Sequence, residues 1–338
     1  MAPPPSSSRA LNAILPQVPT SPYEAHQKAR TFASRYAKAK QYDTAIDVLF
    51  QSARELFKTG QPGSGTDLAG FLLEVYDEKG ERVSDESRER LTQLIALAGD
   101  AGAWRKTVID KSVSWSAKHG ECPAGDPALN HYIGELLYRE GAFEQAEHHL
   151  LQSGRRDSAR VLASMFVDWA NSTSPPTYAP FALRGTLPYL LNGNILAART
   201  FITHFREKVP KSSDAPVRVD DTNEFVLTTD AVVNFCQLAV FTCQRAQGDK
   251  NKVIRESWVR LCGTYQAKDS LLAQPEVRRM MQELATLYFA IPPPRAQAAS
   301  PFGDIMASLL GGGAPGGGAS APATRTLAPP PAAGAGLD

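Results

Sequence analysis

The sequence predicts an all-α protein: a right-handed α-solenoid of degenerate TPR-like helical hairpins with one small β-hairpin in its C-terminal half. Three observations carry this expectation. Apolar residues recur at helical spacing through most of residues 23–291. The segments are joined by short links marked by Gly. A weak repeat, Tyr42-x-x-Ala45, Phe143-x-x-Ala146 and Ile195-x-x-Ala198, opens a helix after a turn, with Gly141 and Gly193 just before the last two. In such pairs a large residue packs back on the preceding helix, and a small Ala lets the two axes approach. A compact all-α bundle is the other architecture this pattern permits.

The elements follow in order. Residues 23–38 carry Tyr23, Phe32 and Tyr36 with several Ala at helical spacing. Residues 42–58 align Ile46, Leu49, Phe50, Ala53 and Phe57 on one stripe. A loop is expected over 60–63, with Ser64 or Thr66 capping the helix that contains Leu68, Phe71, Leu72 and Val75. Ser84 caps the next helix, with Asp85 and Glu86 in its first turn opposing the helix dipole and Gly99 ending it. Trp104, Val108 and Trp115 mark another. Asp126-Pro127 reads as an N-cap followed by Pro at N1. The pattern continues through 143–152, 156–170, 178–191, 195–208, a long apolar helix from Thr228 or Thr229 to about Gln247, 250–265 and 275–290, about thirteen helices in all. Residues 217–227 break the pattern: apolar and polar residues alternate around Asp-Asp-Thr-Asn, which reads as a β-hairpin or as an extended loop. A lone hairpin is barely stable, so something must cover its apolar side.

Composition separates the ends from the middle. Residues 1–22 and 292–338 hold 15 of the 25 Pro and 9 of the 25 Gly, and both are expected to be disordered. The middle, 23–291, is long enough to bury a core and has no net charge. Its halves divide near residue 150. Such a balance disfavours sequence-independent nucleic-acid binding, which needs a basic surface. No run of 18 apolar residues occurs, so no membrane span is expected. Met-Ala-Pro-Pro-Pro does not read as a secretory signal. Cys122, Cys236, Cys243 and Cys262 form no paired spacing and read as reduced thiols of a cytosolic protein.

Chemistry-bearing motifs are absent. The glycines of Gly60–Gly65 have the spacing of a phosphate-binding loop, but Thr66-Asp67 stands where Lys-Ser/Thr is required, and a helix precedes the loop where a strand is needed. The six histidines show no HExxH or Cys/His spacing, and no GxSxG elbow occurs. No catalytic residue, metal site or cofactor is expected. Charge is patterned instead. Residues 23–60 hold seven Lys/Arg against four Asp/Glu, whereas 61–100 hold nine Asp/Glu against four Lys/Arg. Solvated helix faces or an electrostatically patterned docking surface would both give this. In the tail, Phe302, Ile305, Met306, Leu309 and Leu310 make one amphipathic stripe over 302–310, suited to packing in cis or to capturing a partner.

Several blocks then resemble one family. They are Tyr23-Glu24-Ala25-His26-Gln27 with Arg35-Tyr36, Gly65-Thr66-Asp67-Leu68 with Leu73-Glu74-Val75-Tyr76, and Trp115-Ser116. Gly125-Asp126-Pro127, Tyr288-Phe289-x-Ile291-Pro292 and Met-x-x-Leu-Leu-Gly near 306–311 extend the likeness over about 23–311. The chain resembles the Golgi-to-ER traffic protein 4 family, scaffold subunits of the guided-entry pathway for tail-anchored membrane proteins. The resemblance implies a non-catalytic cytosolic solenoid. Its N-terminal half would bind the dimeric targeting ATPase and favour the ATP-bound form. Its C-terminal half would hold a ubiquitin-like-domain adaptor that recruits a TPR co-chaperone. By position, Arg35, Lys38, Asp67 and Glu74 would face the ATPase; Lys38 stands where some members carry Arg, and a lysine cannot make the same bidentate contact. Val217, Val219, Phe225, Val226 and Leu227 of the hairpin, with Phe235, Leu238 and Phe241 of the apolar helix, would hold the adaptor and so cover the hairpin. One departure is implied: family members usually carry an extra charged helix before the first block, whereas Pro16, Pro19 and Pro22 leave only Ala10–Leu15 able to form one here. An unrelated helical-repeat scaffold of the proteasome-lid or signalosome type is the alternative.

Overall fold

The computed structural model describes residues 7–100, 102–211, 217–220 and 223–293. Fourteen α-helices and one antiparallel pair of short strands lie among them. The first half holds α1 (Ser8–Ile14), α2 (Pro22–Lys38), α3 (Tyr42–Lys58), α4 (Pro62–Lys79), α5 (Asp85–Leu97), α6 (Trp104–His119) and α7 (Pro127–Arg139). Then come α8 (Phe143–Ser153), α9 (Arg156–Asn171), α10 (Ala179–Leu191), α11 (Ile195–Arg206), β1 (Val217–Asp220) and β2 (Asn223–Phe225), and finally α12 (Ala231–Gln244), α13 (Lys252–Gln266) and α14 (Pro275–Phe289). These elements belong to one compact unit ending at Pro292. The amphipathic segment expected at 302–310 lies outside the described residues.

The helices form two layers. Odd-numbered helices pack in sequence, α1 on α3, α3 on α5, α5 on α7, α7 on α9 and α9 on α11. Even-numbered helices do the same for α2, α4 and α6, and for α8, α10 and α12. This is the nearest-neighbour architecture of a helical solenoid. Its C-terminal end is closed by α14, which returns to α10; the Tyr288 hydroxyl donates to the Leu190 carbonyl at 2.8 Å.

The repeat read in the sequence has a structural cause. Four connections share one turn: Lys40, Gly60, Gly141 and Gly193 have positive φ of 58°, 73°, 79° and 71°. In each, two successive amides return to carbonyls in the last turn of the helix just ended, as Gly60 does to Phe57 (3.1 Å) and Gln61 to Leu56 (2.9 Å). This is a Schellman stop, and the next helix begins two residues after the left-handed residue. Ala45, Ala146 and Ala198 are fully buried at the resulting close approaches. Glycine goes further within three hairpins. A Cβ on Gly65, Gly134 or Gly185 would lie 2.7, 2.6 or 2.1 Å from the side chain of Phe57, Leu150 or Phe201 across the pair.

Several expectations are corrected. Residues 1–22 are not uniformly without structure: Ser8–Ile14 form α1, and a single 3-10 turn, Leu15–Gln17, follows. Ala10, Ile14 and Val18 are buried, so the segment is held by core contacts, and Pro16 sits at the start of the turn, where its missing N–H costs nothing. Residues 60–63 are not a loop capped by Ser64 or Thr66. Gln61 is the N-cap and Pro62 the first residue of α4, while Thr66 is buried inside it. The apolar helix begins at Ala231, not at Thr228 or Thr229. The Asp230 carboxylate caps it by accepting from the Val232 and Val233 amides at 2.8 and 3.1 Å. Ser84 does cap α5, in a capping box completed by Ser87, and Asp126 caps α7 by accepting from the Leu129 amide at 2.7 Å.

Candidate binding surfaces

The first candidate surface lies on α2 and α4. The spacing of α2 sends Ala25, Ala29, Ala33 and Ala37 to the core, with Arg35 and Lys38 on the opposite side. Both cations are exposed and have no ion-pair partner among the described residues. Asp67 and Glu74 are exposed on one face of α4, two turns apart. The structure does not pair Asp67 with Arg35 or Lys38. It pairs it with two residues the sequence reading had not assigned to the site: the His26 Nε2 lies 2.7 Å from its carboxylate, and the Arg30 guanidinium donates to the same oxygen. Arg30 also lies over the Phe71 ring, 5.5 Å from its centroid. Partial burial works against the Asp67 charge, but the hydrogen bonds from His26 and Arg30 outweigh it and hold the carboxyl below its usual range. The signal for this contact was available in the sequence. His26 and Arg30 stand one helical turn apart, on the side of α2 that turns toward α4.

Glu74 also lines a groove of about 410 Å³ between α4 and α6, together with Asp77, Lys111, Trp115 and Lys118. Lys118 at 3.0 Å and His119 bind Asp77, and despite desolvation they hold its carboxyl below the ordinary value. Its one aromatic lining residue, Trp115, is backed by the buried Tyr76, with the two rings 4.9 Å apart. This face therefore carries alternating charge.

The second candidate surface is the hairpin. β1 and β2 pair Val217 with Phe225 and Arg218 with Glu224, with a register shift before Asp220 opposite Asn223. The hairpin does form, and the chain itself anchors the segment that leaves it. Past β2, the extended residues 226–228 are clamped onto α12 by two buried amides. Gln237 accepts from the Val226 amide at 3.1 Å and donates to the Val226 carbonyl at 2.9 Å. One turn earlier, Asn234 accepts from the Thr228 amide and donates to the Thr228 carbonyl, both at 2.9 Å. Residues at i and i+2 of a strand face the same way, as do i and i+3 of a helix, so the two amides imitate a neighbouring strand. Arg206, nearly buried on α11, donates to Gln237 Oε1 at 2.8 Å and to the Glu224 carbonyl. Burial lowers the pKa of its guanidinium, against the attraction of Glu207 and Glu224.

This geometry revises the assignment of α12. Phe235 and Phe241 are buried, and Phe235 packs on Tyr265 with centroids 5.9 Å apart. Phe235 belongs to the main core cluster, and neither ring is open to solvent. Leu238, Phe225 and Val226 are half-buried and Leu227 is exposed. The side chains of Val217 and Val219 lie outside the described residues. Asn234 and Gln237, which interrupt the apolar run in the sequence, are the residues that fix the segment leaving the hairpin.

The blocks that carry the family resemblance meet in space. His26 of the first block binds Asp67 of the second at 2.7 Å. The Asp126 amide donates to Ser116 Oγ at 2.9 Å, and Arg88 donates to both Asp126 oxygens, at 2.8 and 3.2 Å. No helix among the described residues is long and apolar enough to cross a membrane, and no metal-ligating cluster occurs among them.

Comparison with known proteins accords with these arrangements. The model of the Golgi to ER traffic protein 4 family matches residues 39–310. A protein of that name from Aspergillus fumigatus is 31% identical over 309 residues, covering 86% of each chain. The Schizosaccharomyces pombe protein is 29% identical, over 86% of this chain and 91% of its own, and the Homo sapiens homologue is 25% identical, over 86% and 82%. A crystal structure of C. therm. Get4 superposes with a TM-score of 0.77 at 30% identity, covering 91% of this chain and 96% of that one. With the family model spanning most of the sequence and the solenoid matching in three dimensions, the chain belongs to the Golgi to ER traffic protein 4 family.

Proposed function

We propose that this chain is a non-catalytic cytosolic scaffold for delivery of tail-anchored membrane proteins to the ER. Its N-terminal half would dock a dimeric targeting ATPase and favour its ATP-bound form, and its C-terminal half would hold a ubiquitin-like-domain adaptor that brings in a TPR co-chaperone. The observation that carries the reading is the hairpin. A solenoid needs no strands for its own stability, yet this one buries two side-chain amides and an arginine to fix an extended segment beside an exposed Leu227. Polar groups are costly to bury unless satisfied, so their use here favours a surface kept in one shape for a partner.

The ATPase-facing part is supported by exposed Arg35 and Lys38, without an ion-pair partner among the described residues, on α2, which packs on the helix that carries Asp67 and Glu74. Separated charges of this kind orient encounter and speed association. Because Asp67 is tied to His26 and Arg30, the cleaner variant there is Arg35→Glu with Lys38→Glu.

The test is coexpression of the full chain with the ubiquitin-like adaptor, followed by sizing, and then a titration with the targeting ATPase. The reading expects a stable adaptor complex that is lost on deleting 217–227, while helicity stays nearly intact. It expects ATPase binding, and slowing of its hydrolysis, to weaken in the Arg35/Lys38 variant and at high salt. Adaptor retention by the deletion would refute the hairpin assignment, and an unchanged ATPase titration would refute the N-terminal one.

A further inference from the structure

A groove on the odd-numbered layer, away from the α2/α4 surface, carries three arginines. It lies between α9 and α11, has a volume of about 300 Å³, and is lined by Arg156, Arg160, Leu196, Arg199, Thr203 and His204, with Thr200 at its base. Among the described residues no carboxylate lines it, in a chain whose 36 Lys+Arg are balanced by 35 Asp+Glu. Arg156 is exposed and has no ion-pair partner among the described residues. Among the described residues Arg160 pairs only with Asp157 on its own helix, at 2.8 Å and open to water, a bond of little strength that an incoming carboxylate can replace.

The backbone adds to this charge. Asn194 accepts from the Ala197 amide at 3.0 Å, capping α11, and donates to the Gly154 carbonyl at 2.7 Å, just before α9. The two helices therefore begin side by side, and the positive ends of both dipoles open at the same end of the groove. His204 donates from Nδ1 to the Thr200 carbonyl at 2.9 Å, which leaves Nε2 for an incoming group.

One apolar residue stands in this ring. Leu196 is 54% exposed, among the few large aliphatic side chains so open to solvent. A bare anion would have no use for it. The body of the chain is neutral, which disfavours nucleic acid, and the groove holds three arginines, short of the roughly four to eight Lys/Arg of a polybasic lipid-binding cluster.

We infer that the α9/α11 groove is a docking site for an acidic polypeptide segment of a partner protein, whose carboxylates meet Arg156 and Arg160 and whose apolar side chain covers Leu196. The site is separate from both surfaces considered above: it uses no residue of α2, α4, the hairpin or α12.

Fluorescence anisotropy tests this, using the full chain and a fluorescein-labelled peptide of repeating Asp-Leu-Glu units, with the isosteric Asn-Leu-Gln peptide as neutral control. The acidic peptide should bind at least about tenfold tighter than the neutral one at low salt, with the gap closing as salt rises. Arg156→Glu with Arg160→Glu should remove that preference. Leu196→Ser should weaken acidic-peptide binding severalfold while keeping its salt dependence. Arg35→Glu with Lys38→Glu, on the other layer, should leave it unchanged. Circular dichroism checks each fold, and Arg156→Gln with Arg160→Gln replaces the charge reversal should that variant unfold. Equal affinity for the two peptides, or retained preference in the Arg156/Arg160 variant, overturns the inference. So does binding of phosphatidylserine vesicles that is lost in the same variant while the peptide shows no preference, since that would make the groove a membrane contact.

Discussion

Replacing Gln237 by Ala should free the segment after β2 while leaving the solenoid folded. The side chain makes two neutral hydrogen bonds to Val226 and receives one from the Arg206 guanidinium. Neutral bonds contribute about 0.5–1.5 kcal/mol each and one to a charged group about 1.5–3 kcal/mol. Part of this is recovered, because Val226 is only half-buried and Arg206 keeps the Glu224 carbonyl. A net cost of about 2–4 kcal/mol follows, local to residues 225–228. That converts to amide exchange roughly 30-fold to several-hundred-fold faster at Val226, by the usual ~1.4 kcal/mol per decade. Hydrogen–deuterium exchange read by mass spectrometry over 223–230 measures it. Thr228 should respond less, because Asn234 still holds it. Gln237→Glu should fall between, since a carboxylate accepts from Arg206 and from the Val226 amide but donates nothing to the Val226 carbonyl. Unchanged exchange at Val226 in Gln237→Ala would refute the clamp. Uniform acceleration through α12 would make Gln237 a core residue instead.

Gly185→Ala should destabilise the chain by about 1–3 kcal/mol in urea, although alanine favours a helix, because the new methyl meets the buried Phe201 ring at 2.1 Å. Lys40→Gly should stabilise it by up to about 1 kcal/mol, since Lys40 holds φ +58° at a turn where the equivalent positions are Gly60, Gly141 and Gly193. Asp126→Ala, which removes the α7 cap and both contacts from Arg88, should cost about 2–4 kcal/mol. Burial, reinforced by His148, lowers the pKa of His149 to about 4. The unfolded chain therefore binds this proton first, and stability should fall as pH drops from about 6.5 toward 4, by at most ~1.4 kcal/mol per unit. His149→Gln should flatten that part of the urea-midpoint profile.

Helix positions were legible because each helix buries one stripe, and the stripe is a property of local spacing. The stops were legible too: Gly141 and Gly193 marked turns whose φ requires them, and the copy at Tyr42-x-x-Ala45 was read even though Lys40 fills its turn; the copy after Gly60 was missed because Pro62 and Gly65 stand where the other three carry a large residue and Ala. What the pattern missed depends on distant partners. α1 carries three prolines just downstream and little apolar mass, but Ala10, Ile14 and Val18 are buried when the rest of the solenoid is present. The candidate sites were less legible for the same reason. Asp67 was assigned to a binding face by position, but which cations reach it depends on how α2 lies against α4, and His26 and Arg30 won that contact over Arg35 and Lys38. Asn234 and Gln237 interrupt an apolar helix without announcing a role, because their partners are mainly backbone groups of another segment, which leave no mark in a side-chain pattern.

The layered packing also decides how the surfaces can influence one another. In a solenoid each helix rests mainly on its neighbours, so a local change loses its effect over a few repeats. The Arg35/Lys38 face, on α2, and the clamp, on α12, are separated by most of the stack. Their variants should therefore combine additively: Arg35→Glu/Lys38→Glu with Gln237→Ala should show the sum of the single effects on urea midpoint, within about 0.5 kcal/mol. The C-terminal end differs, because α14 reaches back to α10 and its Tyr288 holds the end of that helix through the Leu190 carbonyl. Tyr288→Phe should thus be non-additive with Gly185→Ala on α10, where the two changes share one helix, and additive with the Arg35/Lys38 pair. Additivity in the first combination would mean that the α10–α14 contact transmits nothing, and that the C-terminal closure is only a cap.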